Sequence, residues 1–232
     1  MQASIIIPTL DRPEGLKRVE KALKAQTCQS FETIIAKERG PLAKIRNDAA
    51  KKAKGDIVVF IDDDVFMPPQ WLQGIHSGFK EKDIAGVSGP AVIRSRFKQQ
   101  RDLFRFPFIK RAYDLLFLQD RKGLPGHFSR SGAWTTCATD EDCSYEGEVE
   151  FLEACNMAWR RDIFKFVKGF DERYGGIGDS SEPDLAFRVR KIGYKLWFTP
   201  QAKLYHEPST GGAYQKRRKD SWNRMGNYLL FS

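Results

Sequence analysis

The feature that most limits the fold of this chain is the alternation, up to Phe79, of short apolar runs with stretches of helical periodicity. Ser4–Pro8, Phe31–Ala36 and Asp56–Ile61 read as strands. After the first, Asp11, Pro13 and Glu14 form a D-x-x-E pattern that opens a helix with Leu16, Val19 and Leu23 as its stripe. After the second, Leu42, Ile45, Ala49 and Ala53 share a helical face, with Gly55 expected as its C-cap. After the third, Pro68-Pro69 restart a helix that turns Trp71, Leu72, Ile75 and Phe79 inward. Strands without polar alternation are buried on both faces, so this order predicts a parallel sheet with helical crossovers.

Ile84–Ile93 extends the series as a further strand. Regular structure is expected again at Val149–Ala154, in helices over Asp162–Val167 and Asp184–Ile192, and in strands over Lys195–Phe198 and Ala202–Tyr205. The fold class is α/β, with a mostly parallel, Rossmann-like central sheet flanked by helices, in one domain of 232 residues. No apolar run approaches the roughly 20 residues of a membrane-spanning helix. The opening MQASIIIPTL reads as a folded strand and not a signal peptide, which predicts a soluble, cytoplasmic protein. The apolar end Tyr228–Phe231 suggests a tail packed on another element, or a longer chain.

Net charge is +9, and it is unevenly spread. Arg94–Arg130 carries ten basic side chains against three acidic ones, interleaved with Phe97, Phe104, Phe106, Phe108, Tyr113 and Phe117. Asp140–Glu153 holds seven acids and no base, and the tail turns basic again at Lys216–Lys219. Such segregation suits an active-site rim, a nucleic-acid face or an anionic membrane surface. Cys28, Cys137, Cys143 and Cys155 show no metal-binding spacing and read as reduced thiols; Cys137 and Cys143 are the pair that can bridge in an oxidising compartment.

Open parallel sheets bind ligands at the carboxyl ends of their strands. Thr9 and Asp11 follow the first strand, Glu38 the second, and Asp62-Asp63-Asp64 the third. On an extended backbone Asp62 and Asp64 share a face while Asp63 points away. Two hard oxygen ligands with open positions suit Mg²⁺ or Mn²⁺ bridging to phosphate oxygens; a solvated acidic turn is the plainer alternative. No Walker A loop, G-x-G-x-x-G fingerprint or G-x-S-x-G elbow is present.

Taken in order, SIIIPTLDRP, AKIRNDAAKKAKGDIVVFIDDD, GFDERY, EPDLAFRVRKIGYKLWFTP and LYH resemble the family 2 glycosyltransferases of the GT-A fold. The likeness covers Ser4 to about Phe79 and Phe151 to His206. It implies a nucleotide-binding half over 1–93, an acceptor half over 149–210, an irregular excursion over 94–148 and a basic tail over 211–232. It also implies an inverting sugar transfer from a nucleotide-diphosphate sugar, with UDP as the expected nucleotide, to a saccharide or lipid-linked hydroxyl. By that likeness Asp62, Asp63 and Asp64 are the D-x-D motif, and Asp62, Asp64 and His206 hold the metal. Pro8, Thr9, Asp11, Arg12, Glu38, Arg46 and Asn47 fall on donor-contacting positions. Ser181-Glu182-Pro183-Asp184-Leu185 replaces the family's E-D-x-D-L, putting Glu182 in the general-base position with Asp184 as rival and Asp179 as a weaker one.

Several of these residues have simpler readings. Asp11 and Asp184 can be helix caps, Arg46 a solvated helix charge, and His206 a structural histidine. His76 reads as a surface residue, and Trp71, Trp159 and Trp197 as core. Trp134, in the irregular segment, is the better acceptor platform. That basic, aromatic segment is also the candidate acceptor lid or peripheral contact with the inner membrane face. A nucleotidyltransferase and a basic nucleic-acid-binding module are the rival functions. The first lacks its Gly-rich loop, the second leaves the acidic triplet unexplained, and no nucleic-acid partner is expected.

Overall fold

The computed structural model describes residues 1–10, 12–93, 108, 111–112, 115–116, 124–129, 135, 143–178, 180–207, 226–227 and 230. The chain order is β1 (Ala3–Pro8), α1 (Pro13–Lys24), β2 (Phe31–Ala36), α2 (Leu42–Lys51), β3 (Ile57–Ile61), β4 (Val65–Phe66), α3 (Trp71–Gly78), β5 (Ile84–Ser88) and β6 (Ala91–Ile93). It continues with β7 (Gly147–Val149), β8 (Asn156–Arg160), α4 (Arg161–Phe166), α5 (Ser181–Lys191), β9 (Lys195–Phe198), a 3₁₀ turn (Pro200–Ala202) and β10 (Leu204–His206).

Seven strands form the main sheet in the order β2-β1-β3-β8-β5-β9-β7. β2, β1 and β3 run parallel, as do β5 and β9. β8 enters between β3 and β5 antiparallel to both, and β7 closes the edge antiparallel to β9. A three-stranded sheet, β4-β10-β6, stands beside it.

The unbroken apolar runs have a direct cause: neighbouring side chains enter opposite layers. Ile6, Val58 and Phe60 pack among residues of α2, α4 and α5. Ile5, Ile7, Ile57, Val59 and Ile61 pack with α1, α3 and the small sheet. Both sets are almost wholly buried, which is why the strands show no polar alternation; the one buried hydroxyl of β1, Ser4, is hydrogen-bonded to Glu32 and to the Gly55 N–H.

Several expectations shift. The run Ile84–Ile93 is two strands in two sheets, because Gly89-Pro90 breaks it and Pro cannot donate to a ladder. Val149–Ala154 is mostly bends and turns, and the strand lies later, at Asn156–Arg160. The last strand is Leu204–His206, preceded by the 3₁₀ turn. Helix α2 ends at Lys51 with Lys52 as cap, so Gly55 is not its C-cap. A Cβ on Gly55 would come within 2.7 Å of the Gln2 carbonyl, so close backbone approach is what requires glycine there. Helix α1 is capped by Arg12 without a side-chain bond, so the D-x-x-E pattern does not supply its cap; Asp11 lies outside the described residues. Helix α5 starts at Ser181, three residues early, after Ser180 turns left-handed at φ 74°.

Cys28 and Cys155 are free, but Cys143 is disulfide-bonded, which corrects the reading of four reduced thiols. Cys137 lies outside the described residues, as do Trp134, Asp179, Lys216–Lys219 and most of the 94–148 excursion. Asn227 of the tail exchanges hydrogen bonds with the Gly175 backbone, at 3.0 and 3.2 Å.

One side chain ties the two sheets together. Asn156 Nδ2 donates to the carbonyls of Gly89 (2.9 Å) and Ala202 (2.8 Å), and its Oδ1 accepts from Trp71 Nε1 (2.9 Å). All of this is buried, so truncation strands three partners. Asn156→Ala is therefore expected to lower unfolding free energy by about 3 kcal/mol in urea denaturation. A loss below about 1 kcal/mol would contradict this role.

Candidate functional site

The parallel strands β1, β3, β5 and β9 present their carboxyl ends at one edge of the main sheet. Because β8 is antiparallel, its beginning lies at that same edge, with Asn156 opposite Ile61 and Met157 opposite Ser88. The acidic triplet leaves β3 there and leads directly into β4. Strand β10 pairs with β4 so that His206 faces Val65, and Glu207 N–H donates to the Asp64 carbonyl at 2.8 Å. The small sheet therefore delivers His206 to the triplet from 142 residues away in sequence.

The three acids divide as strand geometry predicts. One ligand atom from each of Asp62, Asp64 and His206 falls within a group no more than 4.8 Å across. Asp63 is turned into the protein, where Thr9 Oγ1 donates to its Oδ2 and Arg12 forms an ion pair with its Oδ1. Arg12 also reaches Asp64 Oδ2 at 2.8 Å, so one guanidinium spans two of the three acids. Gly15 is needed here, since a Cβ would meet the Asp63 carbonyl oxygen at 2.5 Å.

His206 Nε2 lies 3.1 Å from Asp64 Oδ1. Burial works against an imidazolium, but the Cys155 sulfur, Asp64 and Asp62 outweigh it and hold the ring's pKa up at about 11. Burial also raises Asp62, against the pull of Arg46, and it raises Asp63, against Thr9 and Arg12. The Cys155 thiol is pushed up as well, by burial. These donors suit a hard divalent ion: two carboxylates and an imidazole on one side.

The other expected residues distribute differently. Pro8 and Thr9 end β1 beside the triplet. Arg46 is 2% exposed, not a solvated helix charge. Its Nη1 pairs with Glu182 Oε1 at 2.6 Å, and its Nη2 lies 3.9 Å from Asp62 and 3.2 Å from the Ala154 carbonyl. The guanidinium also sits over the Phe170 ring. Glu182 is buried, with Ser181 Oγ donating to its second oxygen. Asn47 has its amide committed to the Phe170 backbone in both directions and to Glu172. Asp184 is held by two nitrogens of Arg188, which also grips the Val167 and Gly169 carbonyls. Glu38 is exposed and lies 3.6 Å from Lys52. His76 is half-buried against Cys28, Trp71 and Trp159 are core, and Trp197 is half-buried.

Residues 34–137 match the family model described as Glycosyl transferase family 2. The O-antigen biosynthesis protein RfbC of Myxococcus xanthus is 24% identical across the whole chain, which covers 19% of that protein. The N-acetylglucosaminyl-diphospho-decaprenol L-rhamnosyltransferase of Mycobacterium tuberculosis is 26% identical over 78% of the chain and 57% of its own length. A mannosyltransferase from Pyrobaculum calidifontis, solved with GDP-Man and Mn²⁺, superposes with a TM-score of 0.63 at 14% identity, over 99% of this chain and 63% of its own. The chain is thus similar to family 2 glycosyltransferases in sequence, and to a glycosyltransferase in fold. Its mixed sheet and flanking helices are the GT-A fold. The domain spans less than two thirds of RfbC and of the rhamnosyltransferase.

Two residues at the site escaped sequence reasoning. Glu153 and Cys155 lie in the loop before β8, at the site, yet belong to no motif. Only a correct placement of β8 could have flagged them. Burial, reinforced by the nearby Glu182 charge and opposed by His206, raises Glu153 to about 7. Its folded pKa lies above its ordinary value of 4.5, so ionisation destabilises the fold above pH 7, and the penalty disappears below about pH 4.5. Glu153→Gln is expected to stabilise the protein by roughly 2 kcal/mol at pH 8. The gain should shrink to almost nothing by about pH 4; equal melting shifts at pH 8 and pH 4 would refute this burial effect.

Proposed function

We propose that this domain transfers a sugar, with inversion, from a nucleotide-diphosphate donor to the hydroxyl of a saccharide or lipid-linked acceptor. The observation that carries the reading is the meeting of Asp62, Asp64 and His206 at the carboxyl edge of the main sheet, in a chain similar to family 2 glycosyltransferases. Mg²⁺ or Mn²⁺ held by these three would supply Lewis-acid stabilisation of the departing diphosphate. Similar proteins support this direction: one was solved with GDP-Man and Mn²⁺, and another is a rhamnosyltransferase named for a decaprenol-linked saccharide.

The chain's own residues divide the remaining work. Thr9 and Arg12 brace Asp63 and Asp64, which fixes the carboxylates before any ligand arrives. Arg46 lies between Asp62 and Glu182, a cation placed between the diphosphate end and the acceptor end of the site. Glu182 takes the acceptor hydroxyl's proton, and Arg46 and Ser181 set its orientation. Asp184 is the weaker candidate, because Arg188 latches it to the Val167–Gly169 turn, whereas Glu182 shares Arg46 with Asp62 of the ligand cluster. Attack opposite the leaving diphosphate then inverts the anomeric centre.

No helix among the described residues is long and apolar enough to cross a membrane. A lipid-linked acceptor therefore calls for peripheral contact, for which the basic Arg94–Arg130 segment is our candidate. Anionic vesicles at low salt should retain the protein, and equal indifference to anionic and neutral vesicles would remove this element of the proposal.

The central test is thermal melting with UDP, GDP, dTDP and CDP, each with and without Mn²⁺. One nucleotide should raise the melting temperature in a metal-dependent way, and Asp64→Ala should abolish the shift. If none of the four shifts the wild type, the donor-site reading fails. In turnover, Glu182→Gln is expected to cost about 10²–10³-fold and Asp184→Asn less than about tenfold; the reverse order would move the base to Asp184.

A further inference from the structure

The loop entering β8 places one more carboxylate in the site, and none of the roles above uses it. Its backbone is fixed on both sides. Glu153 N–H donates to Ser88 Oγ at 3.3 Å, its carbonyl accepts from Asn156 N–H at 2.9 Å, and Ser88 Oγ donates to the Asn156 carbonyl at 2.6 Å. The side chain is thereby held at the carboxyl edge of the sheet. Its Oε1 is buried and has no hydrogen-bond partner. The charged groups that act on it are His206, from β10, and Glu182, from α5. Glu153 therefore stands near both the metal-ligand cluster and the carboxylate to which we assign proton transfer.

The chemistry of that vacancy is specific. In its ionised form this carboxylate needs a donor, and phosphate oxygens are acceptors, so the diphosphate is a poor partner for it. The cations on this side of the site are engaged elsewhere: His206 faces Asp64, and Arg46 is paired with Glu182. A hydroxyl can fill it. In sugar transfer, which this inference presupposes, the group lying between the diphosphate and the base is the transferred sugar. We propose that Glu153 Oε1 accepts a hydrogen bond from a hydroxyl of the transferred sugar and so selects donors that carry this hydroxyl. A site built around a buried, otherwise unpaired polar group rejects analogues that lack the partner. The raised ionisation of Glu153 is in keeping with an oxygen short of donors.

The test compares wild type, Glu153→Gln and Glu153→Ala in two measurements. The first is binding of the nucleoside diphosphate with Mn²⁺, which lacks the sugar. The second is kcat/KM for the intact sugar nucleotide, found by screening GDP-mannose, UDP-N-acetylglucosamine and related donors, both for transfer and for donor hydrolysis without acceptor. Nucleoside diphosphate affinity should stay within about twofold in both variants, which also shows that the site is folded. The kcat/KM of Glu153→Ala should fall at least about tenfold in transfer and in hydrolysis alike, with Glu153→Gln, which keeps an acceptor oxygen, in between. Unchanged kcat/KM overturns the proposal. A loss confined to transfer overturns it too, by moving the contact to the acceptor. Lost nucleoside diphosphate affinity in the variants overturns it by placing Glu153 on the diphosphate. Failure of the wild type to bind any nucleoside diphosphate with Mn²⁺ instead sinks the sugar-transfer reading, and this inference with it.

Discussion

The site depends on one constraint, the antiparallel insertion of β8 between β3 and β5. A parallel strand in that place would end at the ligand edge and send its preceding loop to the far side. Running the other way, β8 starts at the ligand edge, so the loop carrying Glu153, Ala154 and Cys155 lies against the acids that leave β3. Asn156, the first residue of β8, then binds Trp71, Gly89 and Ala202, so the strand that organises the site also locks the small sheet to the large one. Fold and site share this joint.

The charges gathered there would repel one another without compensation. Three consecutive acids, Glu153 and Glu182 crowd one edge of the sheet, and burial makes the ionised forms of Asp62, Asp63 and Glu153 costly. The protein offsets this with cations placed between pairs: Arg12 between Asp63 and Asp64, and Arg46 between Glu182 and Asp62. His206 sits protonated against Asp64 and meets the remaining charge. Two buried oxygens among these acids have no hydrogen-bond partner, Asp63 Oδ1 and Glu153 Oε1, and the first of them meets the Arg12 guanidinium in an ion pair.

Much of this was legible in the sequence because buried parallel strands leave an unambiguous trace. IIIP, DIVVFI and the amphipathic stretches between them could only be strands and crossovers, and an acidic triplet at the end of one of them could only lie at the ligand edge. The split of residues 84–93 was hidden because Gly89-Pro90 interrupts an otherwise continuous apolar pattern, and only pairing in three dimensions assigns the halves to different sheets. The NMAWR strand was hidden by its polar ends, Asn156 and Arg160, whose partners are remote backbone carbonyls. Arg46 looked like a surface charge because its counter-ion lies 136 residues away. Periodicity reports which face of an element is buried, not which distant charge a buried cation meets.

The proposed function stands or falls on whether Asp62, Asp64 and His206 form one divalent-ion site that holds a diphosphate. Anomalous X-ray diffraction from crystals grown with Mn²⁺ and the nucleoside diphosphate selected by melting tests it most directly. The account predicts a single strong manganese peak within coordination distance of Asp64, with Asp62 and His206 beside it and the diphosphate on its open side. A peak elsewhere, or bound nucleotide with no manganese among these three residues, would contradict it.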